Sequence, residues 1–278
     1  MDIHTTKKLN NRVEIPYLGF GVFLCNDGDE TINAVRWAIE AGYRHIDTAA
    51  MYVNEKSVGL GIRQSGIARK ELFVTTKLSK DDMRDGTQMK AFEKSLKLLQ
   101  MDYVDLYLIH WPVTGKTSES WKVMEKIYES GRARAIGVSN FIERHLDQLL
   151  RDAKIFPAVN QIELHPHLSQ QPLAAYCEKL GIACEAWSPL GGTGGKLLVD
   201  PVIKKIAKKY RKSVAQIILR WDLQRGLIII PKSTHQERIK ANTELYDFEL
   251  SAADIKTIND LDRDPVRMEW GDPNLIDF

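Results

Sequence analysis

Three short apolar segments each lead into a side chain that can carry or share a proton. Asp47 ends the first segment and is followed shortly by Tyr52, Lys77 follows the second, and His110 follows the third. A carboxylate can stabilise a lysine ammonium that has been removed from water. The ammonium then lowers the pKa of a nearby tyrosine, while partial desolvation opposes this effect. The combination predicts a tyrosine suited to general acid work, beside a histidine that can donate a hydrogen bond to a substrate carbonyl.

The ends of the other apolar segments are also polar. Near the last of them, Lys232 and Ser233 are followed by Arg238 and Asn242 at helical i, i+4 spacing. Backbone N–H groups at a helix start, a lysine and an arginine can together hold a phosphate monoester, and solvated loop charges are the alternative. The remaining polar ends are Ser139 with Asn140, Gln161, and Trp187 with Ser188.

Each of these residues also has a plain structural explanation when it is taken alone. Asp47 and Lys77 could form a structural ion pair, Tyr52 could pack in a loop, and His110 could be a satisfied packing residue. A metal site is not expected, because the histidines share no helical face with cysteine or carboxylate partners. The glycine-rich stretch 191–196 lacks the spacing of phosphate-binding loops and is interpreted as a flexible loop over a ligand, or a simple turn.

These side chains must be positioned by an alternation of apolar runs of strand length and segments of helical period. Leu-Phe-Val-Thr-Thr and Leu-Ile-Ile-Ile are apolar at consecutive positions, as expected of strands covered on both faces. Eight such units favour a closed (β/α)8 TIM barrel over an open sheet, because closure removes the edge strands. In this fold functional residues lie at the carboxyl ends of the strands. The predicted strands are roughly 20–23, 43–47, 72–76, 104–109, 133–138, 158–162, 183–187 and 227–230, and the predicted helices include 29–40, 88–99, 118–130, 143–151, 171–180, 202–209 and 213–224.

The two ends of the chain add to the predicted barrel. Residues 7–15 have the pattern of a β-hairpin with an Asn-Asn turn, which could plug the lower mouth of the barrel. Residues 263–278, which include Trp270, have little periodicity and are predicted to fold over the upper face as a loop. No linker divides the sequence, so residues 1–278 are expected to form a single domain.

Composition excludes several classes of function. The 278 residues carry a formal net charge of +2, which argues against a nucleic-acid-binding surface, and the basic stretch 204–212 is interpreted as a solvated helix face. No apolar run is long enough for a signal peptide or a membrane span. The three cysteines lack metal-ligand spacing and suit a reducing compartment, so a soluble cytoplasmic enzyme is expected.

Several long motifs resemble those of the aldo-keto reductase family, over essentially the whole chain. They are Gly-Tyr-Arg-His-Ile-Asp-Thr-Ala-Ala-Met-Tyr ending at Tyr52, Leu-Tyr-Leu-Ile-His-Trp-Pro around His110, Ile-Gly-Val-Ser-Asn-Phe around Ser139, Val-Asn-Gln-Ile-Glu-Leu-His-Pro around Gln161, and Ile-Pro-Lys-Ser around Lys232. The chain is most similar to the short microbial and protozoal members, such as 2,5-diketogluconate reductases and prostaglandin F synthases. The resemblance implies a catalytic tetrad of Asp47, Tyr52, Lys77 and His110.

The resemblance also implies a cofactor site for NADPH. It implies that Ser139, Asn140 and Gln161 bond the nicotinamide carboxamide, Trp187 stacks on the ring, and Ser188, Leu190 and Gly191 line the pyrophosphate. It further implies that Lys232, Ser233, Thr234 and Arg238 hold the 2′-phosphate and that Asn242 contacts the adenine. The chain departs from the common family pattern at Val53, Ser79 and Ala241.

The expected function is NADPH-dependent reduction of aldehydes or ketones, with Tyr52 as the proton donor. Phe23, Trp111 and Trp270 are expected to wall the substrate pocket, and ordinary packing is the alternative for each. The expected partners are a small carbonyl substrate, with neither nucleic acid nor membrane, and the enzyme is expected to be a monomer. One alternative function is a non-catalytic NADPH-binding protein of the same fold. A second is a barrel isomerase or aldolase that uses Lys77 to form a Schiff base.

Overall fold

The computed structural model describes residues 1–192, 195–263 and 272–273. The strands are β1 (Thr6–Lys8), β2 (Glu14–Pro16), β3 (Phe20–Gly21), β4 (His45–Asp47), β5 (Phe73–Leu78), β6 (Val104–Ile109), β7 (Ala133–Ser139), β8 (Val159–Glu163), β9 (Ala183–Trp187) and β10 (Ile228–Ile229). The helices are α1 (Asp29–Glu40), α2 (Glu55–Ser65), α3 (Lys80–Arg84), α4 (Gln88–Leu99), α5 (Thr117–Glu129), α6 (Glu143–Leu150), α7 (Gln171–Lys179), α8 (Pro201–Tyr210), α9 (Val214–Gln224), α10 (Gln236–Ala241) and α11 (Ala252–Asn259). Short 3-10 turns occur at Ala50–Tyr52, Arg69–Glu71 and Leu197–Val199.

Strands β3 to β10 form one eight-stranded sheet in chain order, and every neighbouring pair is parallel. Backbone hydrogen bonds join its first and last strands: the Gly19 N–H donates to the Ile229 carbonyl at 2.8 Å, and the Ile229 N–H donates to the Tyr17 carbonyl at 2.9 Å. A Cβ atom at Gly21 would lie 2.9 Å from the Ile230 carbonyl oxygen, so this seam requires glycine. The predicted (β/α)8 barrel is confirmed.

The helices begin where the sequence provides caps. Ser213 and Gln216 form a reciprocal capping box at the start of α9. The Asp200 side chain accepts hydrogen bonds from two backbone N–H groups at the start of α8, and Pro201 takes the first helical position. The apolar faces of these helices pack against the outside of the barrel and form the main hydrophobic core.

Predicted and observed boundaries differ mainly at the strand ends. The helix predictions 29–40 and 88–99 match α1 and α4, and the strand predictions 104–109 and 183–187 match β6 and β9. Strand β3 ends earlier than predicted, β4 begins later, and β10 is shorter at both ends. At the carboxyl ends of β3 and β10 the backbone leaves the ladder where the loops of the carboxyl face begin. Most of the predicted loop at 263–278 lies outside the described residues. Within the described part, the Arg263 N–H donates to the His167 carbonyl at 3.1 Å, and the Pro273 carbonyl accepts a hydrogen bond from Arg144 on α6.

Strands β1 and β2 form the predicted amino-terminal hairpin. Ile15 is fully buried and belongs to a second apolar cluster with Phe73, Leu106 and other barrel residues. The hairpin is also tied to the amino-terminal side of the barrel strands, because Lys7 donates to the Gly226 carbonyl at 2.9 Å and Asn10 donates to the Pro157 carbonyl at 2.9 Å. The hairpin therefore covers the lower end of the barrel, opposite the polar strand ends. Every described helix is too short or too polar to cross a lipid bilayer.

Ile15→Ala should lower the free energy of unfolding by about 3 kcal/mol, because it leaves a cavity in a fully buried cluster. Val13→Ala, in the same hairpin but partly exposed, is the control and should cost less than about 1 kcal/mol. Urea denaturation measures both values. An equal loss of unfolding free energy in the two variants would contradict the burial of Ile15 in the barrel core.

Candidate active site

A buried ion pair lies at the carboxyl end of two neighbouring strands. The Lys77 ammonium, on β5, donates to Asp47 Oδ1 on β4 at 2.6 Å and to the Thr48 carbonyl at 2.9 Å. The same nitrogen lies 3.4 Å from the hydroxyl of Tyr52. Lys77 is fully buried and Asp47 nearly so. The structure therefore places two residues of the predicted tetrad, Asp47 and Tyr52, within hydrogen-bonding distance of the ammonium of a third, Lys77.

Tyr52 is held by the loop that follows β4. This loop makes a 3-10 turn at Ala50–Tyr52, and the next buried side chain, Asn54, ties it to the loop after β3. The Asn54 amide donates to the carbonyls of Val22 at 3.0 Å and Cys25 at 3.1 Å, and it accepts from the Thr48 hydroxyl. Asn54 fixes both loops, and the Phe23 ring packs against the Tyr52 ring with the ring centroids 4.9 Å apart.

The charges in this cluster shift the pKa values of its members. Burial lowers the pKa of Lys77, but the negative charge of Asp47 and its hydrogen bond oppose this, and the net shift is upward. Burial raises the pKa of Tyr52 and outweighs the Lys77 charge, which lowers it. The direction for Tyr52 is opposite to the lowering that the sequence suggested, because the phenol is more deeply desolvated than its loop position implied. The phenol is thus protonated at neutral pH.

His110 approaches the same point from β6. Its ring packs edge-on against Tyr52 with the centroids 5.6 Å apart. Burial lowers the pKa of His110 well below its usual range, and the positive charges of Lys77 and Lys80 act in the same direction. The imidazole is therefore neutral and carries one N–H, which can serve as a hydrogen-bond donor. All four residues of the predicted tetrad lie together.

A second layer of polar side chains lies next to the ion pair. The Gln161 amide nitrogen on β8 donates to Asp47 Oδ2 at 2.8 Å and to Glu185 Oε2, on β9, at 3.0 Å. His45 Nε2 lies 3.7 Å from the other oxygen of Glu185. His45, Asp47 and Glu185 are close enough together to hold a metal ion, but Lys77 already places a cation on Asp47 and would repel one.

Sequence reasoning did not single out His45, Asn54 or Glu185. A signal for two of them was present: His45 and Glu185 each stand two residues before a selected residue, Asp47 or Trp187, and therefore share its side of the strand. A charged residue inside an otherwise apolar run such as Ala-Cys-Glu-Ala-Trp indicates a site that faces the barrel interior. Asn54 carried no comparable signal, because its role depends on contacts with a distant loop.

The ends of β7 and β9 carry a connected set of polar groups. The Ser139 hydroxyl donates to the Gln161 carbonyl at 2.8 Å, and the Asn140 amide donates to the His110 carbonyl at 3.0 Å. The indole N–H of Trp187 donates to Asn140 Oδ1 at 2.9 Å, which fixes a partly exposed ring. Asn140 and Ser188 adopt left-handed backbone conformations, with φ of 63° and 48°. Such strained positions are typical of functional sites.

The residues predicted to line the rest of the cofactor site follow β9 and β10. Ser188, Leu190 and Gly191 are partly buried, and the Gly191 N–H closes a turn onto the Ser188 carbonyl at 2.8 Å. Lys232 and Arg238 are exposed, and neither forms an ion pair with a carboxylate among the described residues. Ser233 and Asn242 are buried beside them, and Thr234 is partly buried.

The predicted substrate-pocket residues are only partly described. Phe23 contacts Tyr52, Trp111 follows His110 and is partly exposed, and Trp270 lies outside the described residues. One of the departures from the family pattern, Ser79, has a local structural explanation, and Val53 has none. Ser79 accepts a hydrogen bond from the Asp82 N–H and caps helix α3. Val53 is 80% exposed at a φ of 57°, a conformation that a β-branched residue rarely adopts.

The fold and the site together define a (β/α)8 barrel whose carboxyl face carries a buried cluster of titratable side chains. The Aldo/keto reductase family profile matches residues 18–263. Glyoxal reductase of Bacillus subtilis is 53% identical over 93% of this chain and 93% of its own length. The 9,11-endoperoxide prostaglandin H2 reductase of Trypanosoma cruzi is 50% identical, over 96% of this chain and 94% of its own. The crystal structure of a Bombyx mori aldo-keto reductase in complex with NADP is 41% identical, covers 95% of this chain and 94% of its own, and has a TM-score of 0.87.

The chain belongs to the aldo/keto reductase family. It is an oxidoreductase, and the similarity to short microbial and protozoal members is confirmed.

Removal of the Lys77 charge should leave Asp47 buried without a cation. Lys77→Met should therefore lower the free energy of unfolding by about 3–5 kcal/mol at neutral pH. Without its cation, Asp47 should have a folded-state pKa far above the unfolded value, so stability is lost as pH rises and the deficit should be smaller at pH 5 than at pH 8. Urea denaturation at both pH values tests this.

The double variant D47N/K77M is the control for this prediction. It removes both charges, so most of the lost free energy of unfolding should return. The remaining deficit relative to wild type should no longer differ between pH 5 and pH 8 because of Asp47. A deficit of K77M that is the same at both pH values and is not relieved by D47N would contradict the buried ion pair.

Proposed function

We propose that this protein reduces the carbonyl group of small aldehydes or ketones with NADPH, and that Tyr52 is the proton donor. The observation that carries the proposal is the single buried ammonium of Lys77, which bonds Asp47 at 2.6 Å and lies 3.4 Å from the Tyr52 hydroxyl. A phenol beside a permanent cation can release its proton when an adjacent oxygen gains negative charge. The neutral His110 ring, packed against Tyr52, supplies a second donor for the same oxygen.

The residues present fit the cofactor at both of its ends. Trp187 offers a partly exposed ring that its bond to Asn140 holds in place, which suits stacking on a flat heterocycle. Lys232 and Arg238 are exposed cations without a carboxylate partner among the described residues, which suits a phosphate monoester. When bound, NADPH supplies a hydride to the carbonyl carbon.

Each residue of the tetrad then has a separate task. Tyr52 transfers its proton to the carbonyl oxygen, and Lys77 stabilises the phenolate that remains. Asp47 keeps the buried Lys77 ammonium charged, and the raised pKa of Lys77 is in line with this role. His110 orients the substrate carbonyl by donating a hydrogen bond from its one N–H. Because its pKa is lowered, the imidazole stays neutral and does not take the proton that Tyr52 transfers. Phe23 and Trp111 wall the approach and exclude water from the oxygen that gains charge.

Tyr52→Phe should lower kcat for NADPH-dependent reduction by about a thousandfold, because it removes the donor but keeps the ring packing. NADPH affinity should stay within about twofold of the wild-type value, since Tyr52 is not expected to hold the cofactor. Turnover is followed by NADPH absorbance with glyoxal, methylglyoxal and aromatic aldehydes, and binding by tryptophan fluorescence. Tyr43→Phe is the matched control, because its hydroxyl bonds the Ile239 carbonyl elsewhere in the core. Wild-type turnover in Y52F would exclude Tyr52 as the proton donor.

The double variant K232Q/R238Q should weaken NADPH binding by about a hundredfold, because it removes two charge-assisted bonds to the 2′-phosphate. NADH binding should change by no more than about twofold, since NADH lacks that phosphate. Fluorescence titration of both cofactors measures the two effects. Arg36→Gln, which removes a partly exposed arginine paired with Glu40 on α1, is the control. An equal loss for both cofactors would contradict a 2′-phosphate site at these residues.

A further inference from the structure

Glu185 is a buried carboxyl group that the proposed mechanism does not use. It lies in the middle of β9, where it is fully buried, and it pairs in register with Gln161 of β8. It stands two residues before Trp187, so both side chains leave the strand on the same face. Glu185 therefore precedes, on the same face of β9, the residue whose ring is expected to stack on the cofactor.

The hydrogen bonds around Glu185 restrict what Gln161 can do. The Gln161 amide nitrogen has two hydrogens, and the structure directs one to Asp47 Oδ2 at 2.8 Å and the other to Glu185 Oε2 at 3.0 Å. With both hydrogens engaged by carboxyl groups, the amide can offer a ligand only its oxygen. A carboxamide NH2 group is the complementary donor.

We propose that Glu185 is a positioning residue of the reduction site: together with Asp47 it clamps the Gln161 amide so that its oxygen accepts from the nicotinamide carboxamide. The inference rests on the proposed function, because it needs a nicotinamide at this place. Glu185 acts through Gln161 and touches neither substrate nor cofactor. The Gln161 amide oxygen, on β8, would thereby orient the nicotinamide carboxamide.

The geometry also indicates that Glu185 carries a proton. Both oxygens of Asp47 accept hydrogen bonds, from Lys77 and Gln161, so Asp47 uses the single cation of the cluster. Glu185 Oε1 has no hydrogen-bond partner among the described residues, which leaves room for a proton. A second carboxylate here would be a buried charge without a cation of its own.

Four titratable groups face Glu185 or lie close to it. They are His45 and Asp47 from β4, Lys77 from β5 and Tyr52 from the loop after β4, while the paired residue of β10 is the apolar Ile228. Burial raises the pKa of Glu185 to about 8, and the Asp47 charge acts in the same direction, while Gln161 and Lys77 oppose it. Above this pH the new carboxylate would raise the pKa of Tyr52, which makes the phenol a weaker acid. Reduction should therefore slow as Glu185 ionises.

Infrared spectroscopy of the protein without cofactor tests the proton directly. The wild-type spectrum should contain a protonated carboxyl band at pH 7 that is lost as the pH rises past about 8, and E185Q should lack this band. Asp222→Asn is the matched control, because Asp222 is also fully buried and both its oxygens lack a partner among the described residues. D222N should lose a different band and keep the one that E185Q removes. An E185Q spectrum identical to wild type at pH 7 would overturn the protonated state.

Cofactor binding tests the clamp. E185L should raise the Kd of NADPH by about tenfold, because Gln161 loses one of its two anchors, whereas E185Q, which still accepts from Gln161, should stay within about twofold. Binding of 2′-phospho-ADP-ribose, which has no nicotinamide, should be unchanged in E185L. In the Q161A background E185L should weaken NADPH binding no further. Equal losses for NADPH and 2′-phospho-ADP-ribose, or full additivity with Q161A, would overturn the clamp.

The pH profile completes the test. In wild type the ionisation of Glu185 should contribute to a decline of kcat near pH 8. In E185Q this decline should move to higher pH, and in D222N it should stay where it is in wild type. An unshifted profile in E185Q would overturn the link to Tyr52. A wild-type protein that binds NADPH but reduces no carbonyl compound would refute the proposed function alone, since the infrared band and the binding data are measured without turnover.

Discussion

The ion pair between Lys77 and Asp47 is the interaction on which the rest of the site depends. A lysine that is fully buried needs a carboxylate at bonding distance, and Asp47 supplies one at 2.6 Å. The two residues come from neighbouring parallel strands, so their contact requires β4 and β5 to pair in the observed register. The same ammonium lies 3.4 Å from the Tyr52 hydroxyl, so the ion pair also sets the surroundings of the phenol.

Hydrogen bonds from two buried asparagines hold in place the loops that carry the site at the carboxyl face of the barrel. Asn54 joins the loops after β3 and β4, and Asn140 joins the end of β7 to His110 and Trp187. Left-handed backbone at Asn140 and Ser188 stores strain that only a well-packed scaffold can hold. The polar groups at the carboxyl face therefore form one network: the Gln161 side chain bonds Asp47 of the ion pair, and the Gln161 carbonyl is linked through Ser139 and Asn140 to Trp187.

Burial has opposite consequences for the acids and bases of this network. It keeps the Tyr52 phenol protonated, it keeps His110 neutral, and it raises the pKa of Glu185 toward the physiological range. Lys77 is the exception, because nearby negative charge outweighs its own desolvation. The cluster thus holds one ion pair, between Lys77 and Asp47, and burial keeps the groups around it neutral. This arrangement suits a site that must give up a proton only when charge develops on a bound oxygen.

The sequence alone determined the barrel, its plug and the residues at the strand ends, because apolar periodicity and the polar residue that follows each run are local properties. It also contained the family motifs that select the tetrad. Only the tertiary structure decided the direction of the Tyr52 pKa shift, the hydrogen bonds of Asn54 and the place of Glu185 beside Gln161 and Asp47. These features depend on how deeply a group is buried and on which distant strand lies next to it. Desolvation and long-range pairing arise when the barrel closes, so no local pattern in the chain records them.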